Sequence, residues 1–270
     1  MDRFTGMWFV LALFCAACYA TNAKAETNIP FRLTTIVLDP GHGGKDPGNV
    51  GAGRIAEKDI NLQISLRLAK LLSDKTEYAV YLTRSSDASL SLADRARFAN
   101  RFPADQTLFI SIHCNSHRDT DVHGLECYIF NLQSTDRLAE TLATRENAEE
   151  IVHPIDFIVN NLYQRGSEKY SWEAAKIVQS SLVSRLKVRN RNQNAPDKLV
   201  RRAPFRVLFD TQMPAILVEL GYLSNAKEYK SLVKPTYQQE VAEALFTAVQ
   251  QFDQTTQLAL RDASMKKRGE

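Results

Sequence analysis

Residues 35–59 read TIVLDPGHGGKDPGNVGAGRIAEKD, and this stretch decides both the fold and the place of the chemistry. It begins with the apolar run Ile36-Val37-Leu38, which is typical of a buried strand, and the Asp-Pro-Gly after it ends the strand in a turn. Glycines around His42 let the backbone turn sharply enough to present its imidazole. A strand, a glycine-rich loop and a helix therefore follow one another here.

The helix after this loop is amphipathic. Ile60, Ile64, Leu68 and Leu72 recur at helical spacing, which places Glu57 just before or within the first turn. We therefore expect Glu57 to face back towards the loop that carries His42.

Strand and helix patterns alternate along the rest of the chain. We predict strands at 78–83, 107–112, 126–130, 206–209 and 215–220, and helices at 92–99, 137–150, 172–186 and 241–252. This order is typical of a parallel sheet with crossover helices. The sequence predicts a single α/β domain at 34–252, with a mixed, mostly parallel twisted sheet flanked by helices on both faces, and a frayed polar tail at 253–270.

Composition narrows the class of protein. The chain has 270 residues, of which 44% are hydrophobic and 24% charged, so it can bury a sizeable core. Its net charge of +3 gives no support to nucleic-acid binding. We expect a monomer.

The N-terminus resembles a signal peptide. Arg3 precedes an apolar run from Trp8 to Ala20, which is too short to span a bilayer, and Ala23 and Ala25 fit the −3 and −1 positions of a cleavage site. We predict a cleaved signal at 1–25 and a periplasmic protein. An uncleaved anchor or lipidation at Cys18 are the alternatives.

The exported chain would keep two cysteines, Cys114 and Cys127, on predicted strands that could be neighbours. An oxidising compartment would allow them to pair. Two buried thiols are the interpretation that we favour.

Polar residues at predicted strand ends indicate a metal site. His42 and His113 follow or end apolar strands, and functional residues of open α/β sheets gather beyond the carboxyl ends of strands. Two imidazoles and one carboxylate match the ligands of catalytic zinc. We predict that His42, Glu57 and His113 bind Zn²⁺, although such a set accepts other divalent ions.

Glu219 ends another apolar strand and is the candidate catalytic carboxylate. Zinc lowers the pKa of bound water from about 15.7 towards 7, and Glu219 would take the proton of that water and pass it to the leaving nitrogen. The alternative is a buried structural ion pair, for example with Arg84.

Segment 185–206 holds eight basic residues and one acidic residue. A solvated loop is one interpretation, and a rim that attracts anions to a cleft is the other.

Several motifs together resemble the zinc-dependent N-acetylmuramoyl-L-alanine amidases that separate daughter cells in bacteria. The resemblance covers about 34–252 and is carried by the segments DPGHGGKDPG (39–48), EKD (57–59), LTR (82–84), SLADR (91–95), SIHCN (111–115) and MPAILVELGYLSN (213–225). It implies zinc ligands at His42, Glu57 and His113, a catalytic Glu219, and peptidoglycan as substrate. The implied reaction cleaves the amide between N-acetylmuramic acid and the L-alanine of the stem peptide.

The resemblance also implies a regulatory element. In cell-division members, a helical insertion plugs the zinc site until an activator protein at the division site displaces it, and Glu146-Asn147-Ala148 resembles the start of that insertion. Here the segment within 131–170 is short. We therefore expect partial activity without an activator.

Two other functions stay open. A module on the same fold could bind peptidoglycan or a partner without catalysis, although it need not keep His42, Glu57, His113 and Glu219. A zinc peptidase could instead cut within the stem peptide.

Overall fold

The computed structural model describes residues 31–51, 53–147, 167–194 and 200–268. Within them lie strands β1 Thr35–Pro40, β2 Ala79–Leu82, β3 Thr107–Asn115, β4 Glu126–Phe130, β5 Arg201–Ala203 and β6 Ala215–Tyr222, and helices α1 Glu57–Lys75, α2 Leu92–Ala99, α3 Arg137–Glu146, α4 Glu168–Leu186, α5 Arg206–Phe209, α6 Ala226–Leu232 and α7 Pro235–Arg268.

The six strands form one sheet in the order β2-β1-β3-β6-β4-β5. The pairs β1–β2, β1–β3 and β3–β6 are parallel, whereas β4 is antiparallel to β6 and carries β5 parallel to itself. The predicted single α/β domain with a mixed, mostly parallel sheet is confirmed.

The sheet separates two apolar layers because alternate residues of a strand point to opposite faces. In β1, Ile36 and Leu38 join the larger layer, which packs against α1, α4 and α7, whereas Val37 joins the smaller layer, against α2, α3 and α5. Each layer consists of residues with almost no exposed surface. Both faces of the sheet are therefore covered, as predicted.

Segment 206–209 was wrongly predicted as a strand. It forms helix α5, and the nearby edge strand is β5. Short apolar runs do not distinguish a strand from a buried turn of helix. The helical form is supported by the Arg206–Asp210 ion pair at i,i+4, with 2.7 Å between Nε and Oδ2.

The expected frayed tail at 253–270 is instead helical, since α7 continues to Arg268. The Tyr78 hydroxyl donates to Asp253 Oδ2 at 2.6 Å, and Thr256 is buried, so the first turn beyond the predicted end packs against the domain. Among the described helices, none combines the length and the apolar character needed to cross a membrane.

The two cysteines are free and buried, as favoured. Their strands are not neighbours, because β6 lies between β3 and β4.

Two basic side chains of segment 185–206 turn inwards, whereas Arg185, Lys187 and Arg189 are exposed and part of the segment lies outside the described residues. Arg191 Nε lies 2.7 Å from Glu126 Oε1, and the buried Arg201 contacts Glu126 at 3.6 Å and Asp136 at 2.5 Å. These two arginines therefore neutralise the buried carboxylate of Glu126, and Arg201 also pairs with the exposed carboxylate of Asp136. The predicted signal peptide at 1–25 and the end of the predicted helix 137–150, from residue 148 on, lie outside the described residues.

Candidate metal centre

Polar side chains share one face of the sheet near the carboxyl end of β3 and β6. His113 and Glu219 are paired across these strands, and Glu126 of β4 is the partner of Glu219 on the other side. Both strands run past the positions predicted for their ends, so His113 lies inside its strand rather than after it, and Glu219 lies inside its strand, as predicted. This placement fixes the two side chains more firmly than a loop would.

The loop after β1 presents His42 in a left-handed conformation, with φ at 61°. Such a conformation is unfavourable for a residue with a side chain and needs support from its surroundings. Arg95 supplies this support, since Nη2 donates to the His42 carbonyl at 2.7 Å and Nη1 to Asp39 Oδ1 at 2.7 Å. His42 Nδ1 lies 2.7 Å from Asp46 Oδ2, which orients the ring and leaves Nε2 facing inwards.

The alternative role of Glu219 was a buried ion pair with Arg84, and the structure does not show this pair. Its buried guanidinium donates to the carbonyls of Pro40 and Gly41 at 2.9 Å each and to the Lys58 carbonyl at 2.8 Å. Arg84 therefore ties the histidine loop to the start of α1.

Glu57 is the first residue of α1 and faces the histidine loop, as predicted. Its Oε2 accepts hydrogen bonds from Asn49 Nδ2 at 2.7 Å and from the Asn49 main-chain nitrogen at 3.0 Å. Its Oε1 accepts one from the Cys114 main-chain nitrogen at 2.9 Å and lies 3.2 Å from His113 Nδ1. The carboxylate is thus held in one orientation towards both histidines.

The side chains converge closely enough to share an ion. His42 Nε2 and His113 Nδ1 each lie 3.2 Å from Glu57 Oε1. Ligands about 2.0–2.1 Å from a tetrahedral zinc are roughly 3.4 Å apart, so the separations fit such an ion. His42 Nε2 is buried and has no hydrogen-bond partner among the described residues, which suits a lone pair directed at a cation.

Glu146, at the end of α3, points into the same centre. Its Oε2 lies 3.3 Å from His42 Nε2 and 3.5 Å from His113 Nδ1, on a side chain that is only 7% exposed. These distances are close to the 3.2 Å that separates Glu57 Oε1 from each of the same two ring nitrogens. The carboxylate therefore stands where a fourth ligand of a shared ion would be.

Glu219 completes the centre without a hydrogen bond of its own. Both carboxylate oxygens are buried and have no partner in the described part of the chain. One of them lies within 4.8 Å of ligand atoms of both His113 and Glu146. A bare buried carboxylate is costly for stability, which points to a role in function.

Burial and neighbouring charges shift the pKa values of the ionisable groups of the centre in different directions. Burial lowers the pKa of His42, but the charge of Glu57 and the contact with Asp46 outweigh it and raise the pKa to about 12. Burial raises the pKa of Glu57, but His42 and His113 hold it well below its usual range. Burial and the nearby charge of Glu57 raise the pKa of Glu219 well above its usual range. The histidines and Glu57 thus favour a cation, whereas Glu219 is suited to carry a proton.

The four residues predicted from sequence, His42, Glu57, His113 and Glu219, therefore come together. Sequence reasoning did not name Glu146 as a residue of the centre, although the Glu-Asn-Ala motif was a signal for it. It also missed the supporting roles of Asp46 and Asn49, for which only their place in the histidine loop was a signal.

Comparisons with known proteins agree with this geometry. Residues 36–251 match the Amidase_3 family model, described as N-acetylmuramoyl-L-alanine amidase. The chain is 30% identical to the N-acetylmuramoyl-L-alanine amidase AmiC of Escherichia coli O6:H1 over 82% of its own length and 53% of that protein, so it spans about half of this curated relative.

Solved structures show the same fold. An N-acetylmuramoyl-L-alanine amidase from Clostridium difficile 630 is similar with a TM-score of 0.62 and 29% identity, over 82% of this chain and 97% of that one. The CwlD amidase from Clostridioides difficile, solved in complex with the GerS lipoprotein, is similar with a TM-score of 0.59 and 27% identity, over 81% and 98%. With its fold and residues 36–251 matched, the chain belongs to the N-acetylmuramoyl-L-alanine amidase family, Amidase_3.

Proposed function

We propose that this protein is a zinc-dependent N-acetylmuramoyl-L-alanine amidase, which hydrolyses the amide between N-acetylmuramic acid and the first L-alanine of the peptidoglycan stem peptide. The observation that carries the proposal is the convergence of His42, Glu57 and His113 beside the unpaired carboxylate of Glu219. Family membership supports the substrate.

His42, Glu57 and His113 would hold the ion. When bound, Zn²⁺ would lower the pKa of a water ligand and polarise the substrate carbonyl. The bond of Asp46 to His42, and those of Asn49 to Glu57, keep the ligands oriented.

Glu219 would act as the general base and then the general acid. It accepts the proton of the attacking water and delivers it to the leaving nitrogen of L-alanine. Its raised pKa, caused first by burial and then by Glu57, suits a group that must hold a proton between these two steps. The register between β3 and β6 keeps it beside His113.

The described conformation is a closed one in this proposal. The Glu146 carboxylate faces both histidines, where water and the substrate carbonyl would have to enter. In this position Glu146 would keep the partial activity expected without an activator low. The similar CwlD amidase was solved in complex with a lipoprotein, which supports a protein partner for this chain as well. In this proposal, the partner would open the site.

We place the enzyme in the periplasm, exported by the signal at 1–25, where it would act in wall remodelling and in the separation of daughter cells. The N-terminal apolar run and the resemblance to cell-division amidases support this part of the proposal.

The test is dye release from labelled sacculi, with mass spectrometry of the products. We expect slow release by the wild type and release at least about tenfold faster by Glu146→Ala, abolished by a chelator and restored by Zn²⁺. Glu140→Ala is the matched control, since Glu140 lies exposed on the same helix. It should behave as the wild type does.

The products separate the alternatives. Intact stem peptides support the amidase, whereas shortened stem peptides would show a peptidase that cuts within them. Binding to sacculi with no release by Glu146→Ala in the presence of Zn²⁺ would show a non-catalytic binding module.

A further inference from the structure

The side chain of Arg145 covers two hydrogen-bond acceptors beside the metal centre. Its Nη1 donates to the Ser116 carbonyl at 3.1 Å, and its Nη2 donates to Asn115 Oδ1 at 3.2 Å. Its Nε donates to Glu146 Oε1 at 3.0 Å. Glu146 therefore occupies the space in front of the histidines, and Arg145 occupies a second space beside it, in front of Asn115 and Ser116.

Contacts other than those with Arg145 hold Asn115, the last residue of β3, and Ser116 follows it directly in the chain. Asn115 is buried, and its Nδ2 donates to Glu126 Oε2 at 3.4 Å, while its Oδ1 also accepts from the Ser116 main-chain nitrogen at 2.7 Å. Glu126 is itself held by Arg191. The acceptors will therefore keep their positions when Arg145 leaves.

The acceptors lie within reach of a substrate in the centre. Glu146 Oε2 faces the two histidines, and Oε1 of the same carboxylate binds Arg145. The guanidinium is therefore separated from the histidines only by this carboxylate group. An extended peptide advances about 3.3–3.6 Å per residue. From a scissile carbonyl at the histidines, the first peptide group beyond the leaving nitrogen is the one that reaches this place.

Two acceptors in a cleft need donors, because an acceptor that loses its partner on binding weakens the complex. We propose that Asn115 Oδ1 and the Ser116 carbonyl, once Arg145 has left, accept the peptide N–H between L-alanine and the second residue of the stem peptide. Asn115 is then a residue that binds and positions the substrate. The inference rests on the proposed amidase function.

The test replaces that N–H by an ester oxygen, which removes the donor and keeps the shape. The Arg145→Ala, Glu146→Ala double variant serves as the opened enzyme, and its hydrolysis of a muramoyl peptide is compared with that of the ester analogue. We expect KM for the ester to be about three- to tenfold higher, with kcat within about twofold, as the loss of one hydrogen bond predicts.

Adding Asn115→Ala to the opened enzyme should bring the ratio of the two KM values towards one. The control is Asn100→Ala, which removes an asparagine that also makes two side-chain bonds, to the Asp210 carbonyl at 2.8 Å and to the Gln212 nitrogen at 2.9 Å, away from the centre. This control should leave the ratio unchanged.

Equal KM values for amide and ester in the opened enzyme would overturn the inference. This comparison tests the inference even if the Asn115→Ala variant does not fold. A ratio that Asn115→Ala leaves unchanged would overturn the part assigned to Asn115. Failure of the opened enzyme to release intact stem peptides would instead contradict the proposed function.

Discussion

If the proposed zinc site is correct, replacing Gly41 by alanine should weaken zinc binding at the centre while the domain stays folded. A Cβ at this position would lie 2.2 Å from His113 Cε1, 2.3 Å from Nε2 and 2.7 Å from Nδ1. Ordinary contact begins at 3.4 Å, so the ring or the loop has to move by about 1.2 Å, the difference between 3.4 and 2.2 Å. The loop resists, because the Gly41 nitrogen donates to the Ile112 carbonyl and its carbonyl accepts from Arg84.

The expected loss of zinc affinity follows from the narrow range of ligand distances that a metal site tolerates. Ligand distances in such sites hold to within about 0.2 Å, so a shift of about 1.2 Å takes His113 out of position. We expect zinc affinity to fall by at least about 100-fold, as when a supporting contact is lost, and hydrolysis to fall by at least about 100-fold. Overpacking should cost about 1–3 kcal/mol of the free energy of unfolding.

The assay is competition for zinc with a chromogenic chelator, followed by muropeptide hydrolysis at saturating zinc. Gly51→Ala is the matched control, since a Cβ there would lie 2.2 Å from Tyr229 Cε2, an equal overlap with a ring that is not a candidate ligand. It should lose stability and keep zinc. If Gly41→Ala bound zinc as tightly as the wild type, the assignment of His113 as a ligand held by this contact would be wrong.

Three further predictions concern the support of the centre, its chemistry and the last helix. Arg95→Met leaves Asp39 buried without its partner and should cost about 3–5 kcal/mol in urea unfolding at pH 7. Burial raises the pKa of Asp39, but the charge of Arg95 and the hydrogen bonds from Thr83, Arg95 and Ser111 together outweigh burial and hold the pKa below its usual value. The ion pair therefore contributes stability above about pH 3.9, and the difference in unfolding free energy between variant and wild type should narrow below that pH. Glu219→Gln should lower kcat by about 10²–10⁴ with zinc content and thermal stability retained, since this carboxylate has no hydrogen bond to lose within the described residues. Deleting 253–270 removes the Asp253 bond of Tyr78 and should lower the free energy of unfolding by about 1–3 kcal/mol. Deleting 258–270, in which none of the described side chains is buried, should change it by less than about 0.5 kcal/mol.

The sequence was sufficient for five of the six described strands and for four residues of the centre because their signals are local. Apolar runs marked β1, β3 and β6, and helical spacing placed Glu57 at the start of α1. The short apolar run at 206–209 was not sufficient, since a strand and a buried helical turn look alike over four residues.

The position of Glu146 could not be derived from local pattern. It lies at the end of a polar helix, and its contact with His42 joins residues about 100 positions apart in the chain. Only the way in which α3 packs on the sheet brings it to the histidines. A motif could indicate that this segment matters, but not that its carboxylate takes the place of a ligand.

The register of β6 separates two buried glutamates that look alike in the sequence. Glu126 and Glu219 are paired across β4 and β6, on the same face of the sheet. Arg191 and Arg201 neutralise Glu126, whereas Glu219 has no hydrogen-bond partner in the described chain. A slip of β6 by one residue would turn Glu219 into the larger apolar layer and away from His113. The same sheet therefore stabilises one carboxylate as part of the structure and keeps the other free for a proton, because only one of them faces the arginines of segment 185–206.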